Sequence, residues 1–221
     1  MSIEEKGLEP APAVNSEVGN EATDKAFKEA NSSTVRSIRW QKILTDNVRL
    51  VTVALAIALV VRFFIAEPRY IPSPSMVPTL AVGDRLLVEK VSYRFEPPHR
   101  GDIIVFEPPP QLQEYGYSAS QAFIKRVIGL PGETVKVTQG QVFINNESLS
   151  ESYILESPVY EMPPVRVPAS SLFVMGDNRN DSNDSHVWGF LPVENAIGRA
   201  AFRFWPLEKV GWVAKNPRNP I

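Results

Sequence analysis

The sequence predicts a mainly β protein, with one N-terminal transmembrane helix followed by an all-β domain of antiparallel sheet. Three observations carry this prediction. A single long apolar run occupies Leu50 to Ala66, short segments rich in branched and aromatic residues recur through the rest of the chain, and clusters drawn from 20 prolines and 12 glycines stand between them. Short apolar segments punctuated by turn residues, without a sustained 3.6-residue period, read as strands. At 221 residues and 43% hydrophobic, the chain can build one cored domain with small extras.

Residues 1 to about 34 are rich in Glu, Ala, Asn, Ser and Pro, with Phe27 as the single aromatic. Such a stretch cannot bury enough apolar surface to offset the entropy of ordering, so 1–47 as a whole is read as a largely disordered tail. Its early acids Glu4, Glu5 and Glu9 argue against an organelle transit peptide.

The composition changes abruptly at Val48. A helix over 48–66 covers nearly the ~30 Å of a bilayer core at ~1.5 Å per residue, and Arg62 stands close enough to one end to reach the headgroups. A buried core helix is the competing reading, since Arg62 shortens the uninterrupted run. A cleaved leader fits less well, because a long tail precedes the run and bulky Phe63, Phe64 and Ile65 occupy the positions before any cut at Ala66. The run is therefore taken as an uncleaved anchor in membrane lipid. Arg36, Arg39, Lys42 and Arg49 precede it, whereas Arg69 is the single base in a comparable stretch beyond it. The bias places the N-terminus in the cytoplasm and 67–221 outside it, on a single-pass topology.

The segments RLLVEKV, DIIVF, FIKRVIG, TVKVT, QVFIN, SLFVMG and GRAAFRFW make up the expected sheet. TVKVT and QVFIN flank Gln139-Gly140 as a tight hairpin. The PPP and PPVRVP stretches read as extended surface loops.

Composition also removes function classes. A formal net charge of -2 with mixed signs carries no signature of a nucleic-acid binder. The absence of cysteine excludes disulfides, thiolate metal sites and a cysteine nucleophile. His99 and His186 are the only histidines, which argues against a catalytic zinc, and no metal or other cofactor is expected. Oligomeric state is not legible here; a monomer is the working expectation.

Three segments could carry chemistry. In IPSPSMVPTL, residues 71–80, prolines 72, 74 and 78 forbid a helix and display Ser73 and Ser75 on a rigid, extended or turned segment. A Pro/Ser juxtamembrane linker is the plainer alternative. Nine residues separate Ser75 from Ala66, so at roughly 3.3–3.6 Å per residue the serine lies within about 30 Å of the membrane surface. In FIKRVIGLPGE, residues 123–133, Lys125 and Arg126 interrupt a strand-like run, and alternation puts them on opposite faces with one of them partly buried. Periodicity does not say which, and two edge charges pointing to water are the plainer alternative. Lysine is the one that can lose its proton when desolvated. MGDNRNDSNDSHVWGFLP, residues 175–192, is a dense polar loop; neither register from Asp177 or Asp181 supplies the Gly and Glu of an EF-hand, and a solvated turn remains the alternative.

Together, and in this order behind an apolar anchor, IPSPSMVPTL, GDIIVF, FIKRVIGLPGE and GDNRNDSNDSHVWG resemble the motifs of the type I signal peptidases, the Ser/Lys-dyad leader peptidases of bacteria. The resemblance implies a serine endopeptidase of the bacterial cell membrane that removes signal peptides from exported preproteins after small residues in an A-x-A-like pattern. Ser75 then matches the nucleophile and Lys125 the general base. Ser73 and the Ser75 backbone N–H match the oxyanion hole, Ser182 the serine that hydrogen-bonds and orients the lysine, and Asp184 a supporting carboxylate, with Asp177 and Arg179 in the same motif. Ile71, Pro72, Met76, Leu80 and Ile124 match the lining of the substrate pockets. His186 stands where bacterial members usually carry an arginine paired with the aspartate, which puts that ion pair in question, and Phe123 stands where some carry tyrosine.

A lysine is an effective base near neutral pH only if burial lowers its pKa from about 10.4, and reaching pH 8 requires roughly 3 kcal/mol of desolvation. The competing readings are a Ser/His/Asp triad built on His186, a Ser/Lys self-cleaving repressor-type protease, and a non-catalytic membrane-tethered β domain that binds an export partner.

Overall fold

The computed structural model describes residues 47–213, together with Lys25 and Lys28. The expected tail and the basic residues Arg36, Arg39 and Lys42 therefore lie outside the described residues. The chain divides into two units, 1–57 and 58–221, with the boundary inside the apolar helix α1 (Asn47–Ile65). This helix is long and apolar enough to cross a membrane, and none of its residues is buried within the protein. Its last turn, Val61–Ile65, is a π-helix closed by the Ala66 N–H donating to Val61. The expected helix end at Ala66 is thus one residue too far: Ala66 is extended and already paired with a strand.

Among the described residues twelve strands follow: β1 (Ala66–Tyr70), β2 (Arg85–Glu89), β3 (Ile103–Phe106), β4 (Phe123–Gly129), β5 (Thr134–Thr138), β6 (Gln141–Ile144), β7 (Glu147–Ser148), β8 (Met162–Arg166), β9 (Ser171–Met175), β10 (Leu191–Pro192), β11 (Ala196–Trp205) and β12 (Gly211–Trp212). Two short helices, α2 (Pro110–Glu114) and α3 (Ser185–Trp188), interrupt them. One sheet runs β1-β2-β11-β3-β4-β9-β10 with β12 beside β11, and a second runs β7-β6-β5-β8. Every pairing is antiparallel.

The β5–β6 hairpin turns at Gln139 (φ 51°) and Gly140 (φ 72°), a pair of positive φ values that matches strand twist. The PPVRVP stretch departs from expectation, because Met162–Arg166 forms β8 at the edge of the second sheet. Proline lacks the N–H that an inner strand must donate, and an edge is where that lack is tolerated. The same reasoning admits Pro68 to the edge strand β1. The PPP stretch instead opens α2, with Pro110 at a position where no intrahelical N–H is needed.

Strand β4 is central to the large sheet, and Ile124 through Gly129 are all buried. One core cluster joins Ile71, Met76 and Leu80 to Leu86, Val88, Ile103 and Ile124; a second gathers Ile128, Val135, Val137 and Phe173; a third packs Phe106, Leu112 and Trp188. The first clamps the segment around Ser75 against the strand that carries Lys125.

Candidate active site

Ser75 is presented by a single 3-10 turn, Pro74–Met76. Ser73 precedes the turn in extended backbone (φ -129°, ψ 155°), and Pro74 supplies the fixed φ of the first turn position. Because proline has no N–H, that of Ser75 is the first donor of the turn, and such a donor has no intrahelical partner. The turn is held from several sides. Ile71 N–H donates to Asp84 O at 2.9 Å, Leu80 N–H to Met76 O at 2.9 Å, and Asn178 N–H to the Ser75 carbonyl at 3.1 Å. Met76 and Leu80 are at most 1% exposed, so the two residues flanking the hydroxyl-bearing segment anchor it in the core.

Lys125 projects from β4, opposite Ile104 of β3. Its Nζ donates to Ser75 Oγ at 2.7 Å and to the Ile124 carbonyl at 3.0 Å. Ser73 Oγ lies 3.2 Å from Ser75 Oγ. Lys125 is 4% exposed, and burial draws its pKa down to about 8, against the opposing pull of Asp184 and Asp177. Desolvation outweighs the two carboxylates here because Asp177 pairs with Arg126 and Asp184 with His186 rather than with the amine, from which water is excluded. An amine in that state, at hydrogen-bond distance from a hydroxyl, can receive the hydroxyl proton. His186 meets Asp184 rather than Ser75, so the groups of a Ser/His/Asp relay are not assembled around this hydroxyl.

Alternation along β4 predicts one buried base, and the structure buries both: Arg126 is 1% exposed. An inner strand covered on both faces has no exposed side to offer. Arg126 is compensated by two hydrogen bonds to Asp177 (2.8 and 2.6 Å), one to Gly101 O at 2.9 Å, and the Tyr153 ring 4.0 Å from its guanidinium carbon. Thr79 Oγ1 completes Asp177 at 2.6 Å. Arg179, likewise buried, pairs with Glu151 and donates to Gly176 O at 3.0 Å. Charges that could not be buried singly are thus buried as hydrogen-bonded pairs.

Asp184, fully buried, accepts the Gly176 N–H at 2.8 Å through one oxygen and meets His186 Nδ1 at 2.7 Å through the other. The aspartate pair that replacement of arginine by His186 put in question is therefore present, made with the imidazole. Ser182 behaves otherwise than expected. Its Oγ is buried without a hydrogen-bond partner, so the expected hydrogen bond to Lys125 is not made. Gly176 explains how closely these parts meet: a Cβ placed there would lie 2.3 Å from Ser182 Oγ and 2.5 Å from the Ser75 carbonyl. Gly176 was not singled out from the sequence, although a glycine directly after a buried strand and before a polar loop is a signal for close backbone approach.

A cleft of about 410 Å³ opens over Ser73, Ser75 and Lys125. Pro72 and Ile124 line it, whereas Ile71, Met76 and Leu80 sit in the core cluster that also holds Ile124. The opposite wall comes from Tyr117, Gln121 and Asn183, with Asn183 Nδ2 donating to Tyr117 Oη at 3.4 Å. Nothing in the loop YGYSASQ marks it in sequence as a cleft wall. Among the described residues, no three His, Asp or Glu side chains gather as metal ligands.

Comparison with known proteins places this geometry in context. Residues 44–205 match the family described as signal peptidase, peptidase S26. A protein of Synechocystis named probable signal peptidase I-1 is 62% identical over 172 residues, covering 78% of this chain and 87% of that protein. Signal peptidase I of Leptolyngbya laminosa is 54% identical, covering 79% and 86%. A probable thylakoidal processing peptidase 2 of Arabidopsis thaliana is 47% identical, covering 76% of this chain and 46% of that longer protein.

Proposed function

The chain belongs to the signal peptidase family, peptidase S26, and is a peptidase; from that membership we propose that it cleaves signal peptides from exported preproteins, with Ser75 as nucleophile and Lys125 as general base. The observation that carries the reading is the 2.7 Å contact between the Lys125 amine and the Ser75 hydroxyl, made by an amine whose pKa burial lowers to about 8.

In this reading the Lys125 lone pair takes the Ser75 proton as Oγ bonds to the scissile carbonyl carbon, whose π electrons move to oxygen. The Ser75 N–H and the Ser73 hydroxyl face that oxygen, each contributing about 3 kcal/mol to lowering the barrier. Collapse expels the new N-terminal amine, which carries away the proton held by Lys125, and leaves an ester on Ser75. Lys125 then deprotonates a water that attacks the ester, and the proton returns to Ser75 Oγ as the signal peptide departs. Asp184 supports the dyad through the Gly176 amide, while Ile71, Pro72, Met76, Leu80 and Ile124 shape the site for small side chains.

We further place α1 across the membrane, with the N-terminus cytoplasmic and the β domain extracytoplasmic; the helix's length and apolarity support the span, and the excess of bases before it over Arg69 after it supports the orientation. One experiment tests the chemistry. Incubation of the full-length enzyme with a preprotein bearing alanine at the cut should give mature protein with wild type, and lose at least about three decades of rate in Ser75→Ala and in Lys125→Ala. Wild type acting on a bulky replacement of that alanine should fail. Comparable cleavage by either variant would remove the dyad, and equal cleavage of both substrates would remove the specificity.

A further inference from the structure

We infer that His186 is a positioning residue for the Ser75–Lys125 pair, setting through Asp184 both the placement of the Gly176 amide beside Ser75 and the net negative charge that the Lys125 amine experiences. This inference rests on the dyad reading above and adds to it a residue that touches neither the substrate path nor the reacting atoms.

The chain of contacts is short. His186 Nδ1 lies 2.7 Å from Asp184 Oδ1, and the His186 backbone N–H donates to the same oxygen at 3.2 Å. The imidazole is also stacked on Tyr160, centroids 4.1 Å apart and planes 11° from parallel, which fixes its ring plane. The other carboxylate oxygen, Oδ2, holds the Gly176 N–H at 2.8 Å. Gly176 in turn packs so tightly on the Ser75 carbonyl and on Ser182 that no side-chain atom would fit between them. A shift in Asp184 is therefore a shift in Gly176, and the Ser75 carbonyl has no slack in which to absorb it.

The second arm is electrostatic. Asp184 is fully buried, and its charge favours the protonated form of Lys125, the form that cannot serve as a base. A cation on His186 would offset that charge at 2.7 Å, whereas a neutral partner would leave it whole. The charged and titratable groups around the pair are Asp184 itself, Lys125 and Asp177, the Tyr160 hydroxyl, and the Arg179–Glu151 pair that also influences Tyr160. Arg179 and Glu151 compensate each other, as do Arg126 and Asp177, which leaves His186 as the group in direct contact with Asp184 able to change its net field. An imidazole, unlike a guanidinium, can pair with a carboxylate in either protonation state.

The test compares a fixed cation with a neutral partner at this position. kcat/KM for preprotein cleavage is measured across pH with wild type, His186→Arg and His186→Gln, alongside Lys125→Ala. The rising midpoint should lie at least about half a pH unit higher in His186→Gln than in His186→Arg. A purely structural role would lower the rate without separating the midpoints. Equal midpoints in the two variants, or the reverse order, would overturn the inference whatever the rates. His186→Lys and His186→Asn supply a second cation and a second neutral partner if either first variant does not fold. An inactive Lys125→Ala with equal midpoints removes the role of His186 alone; a fully active Lys125→Ala removes the dyad and this inference with it.

Discussion

In the proposed dyad Lys125 serves as a base at a cost to stability, and that cost follows from its burial. Its pKa is lowered by burial to about 8 from an ordinary 10.5, so below pH 8 the folded protein must hold a charged amine out of water while the unfolded chain holds it in water. Between about 8 and 10.5 the unfolded state binds the more protons, so this group makes stability rise with pH across that window; above it both states are neutral and the penalty is gone. The shift corresponds to about 3 kcal/mol. Lys125→Met, which keeps the length and cannot ionise, should therefore be more stable than wild type at pH 6, and the gap in melting temperature should close as pH approaches 10.5. A gap independent of pH would contradict the assigned titration. At this scale much was legible in the sequence. Prolines brought Ser73 and Ser75 forward together, and desolvation chemistry favoured Lys125 over Arg126; it was the family resemblance that selected Ser75 and Lys125 as the pair. The burial of Arg126 was not legible, because its partner Asp177 is 51 residues away and no local pattern announces a pairing over that distance. The partnerless Ser182 hydroxyl was equally hidden, since a motif gives the residue but not its rotamer.

Among the elements, β4 and the loop between β9 and α3 define the site, one by carrying Lys125 and the other by bracing Ser75 through Asn178 and Gly176. Gly176→Ala should be severe for a geometric reason. Its φ is not in the left-handed region that favours glycine, so the backbone itself tolerates a side chain, but the new methyl would meet the Ser75 carbonyl at 2.5 Å, and that carbonyl is backbone. Displacing the Ser75 hydroxyl by an ångström from Lys125 should cost about 10²-fold in rate, and overpacking about 1–3 kcal/mol of stability. Preprotein cleavage and thermal unfolding of the variant check both; near-normal activity would show that the loop can yield. Strand prediction worked where branched residues alternate, as in TVKVT and QVFIN, whose turn residues also give the register. It failed at Met162–Arg166, where two prolines read as a loop although an edge strand accepts them. The short pairs β7, β10 and β12 carry too few residues for any period to appear.

At the level of the whole molecule, the division into an apolar helix followed by sheets was legible because a bilayer-length run and a period-2 domain differ in composition along the chain. The cleft was only half legible: the wall bearing Ser73, Ser75 and Lys125 follows from motifs, as does Asn183 in the polar loop, while Tyr117 and Gln121 arrive from a loop without a signature. Orientation is a prediction of charge alone. Expressed in a bacterial inner membrane, the chain should lose its C-terminal domain to protease added outside spheroplasts while an epitope fused to the N-terminus survives; the reverse pattern would invert the topology. The central claim, a neutral lysine working as base, is tested most directly by kcat/KM for one preprotein between pH 6 and 10. A base of this kind gives a rise of about tenfold per unit up to an apparent pKa near 8 and a plateau beyond it. A profile that is flat across that range, or already at its plateau at pH 6, would contradict it.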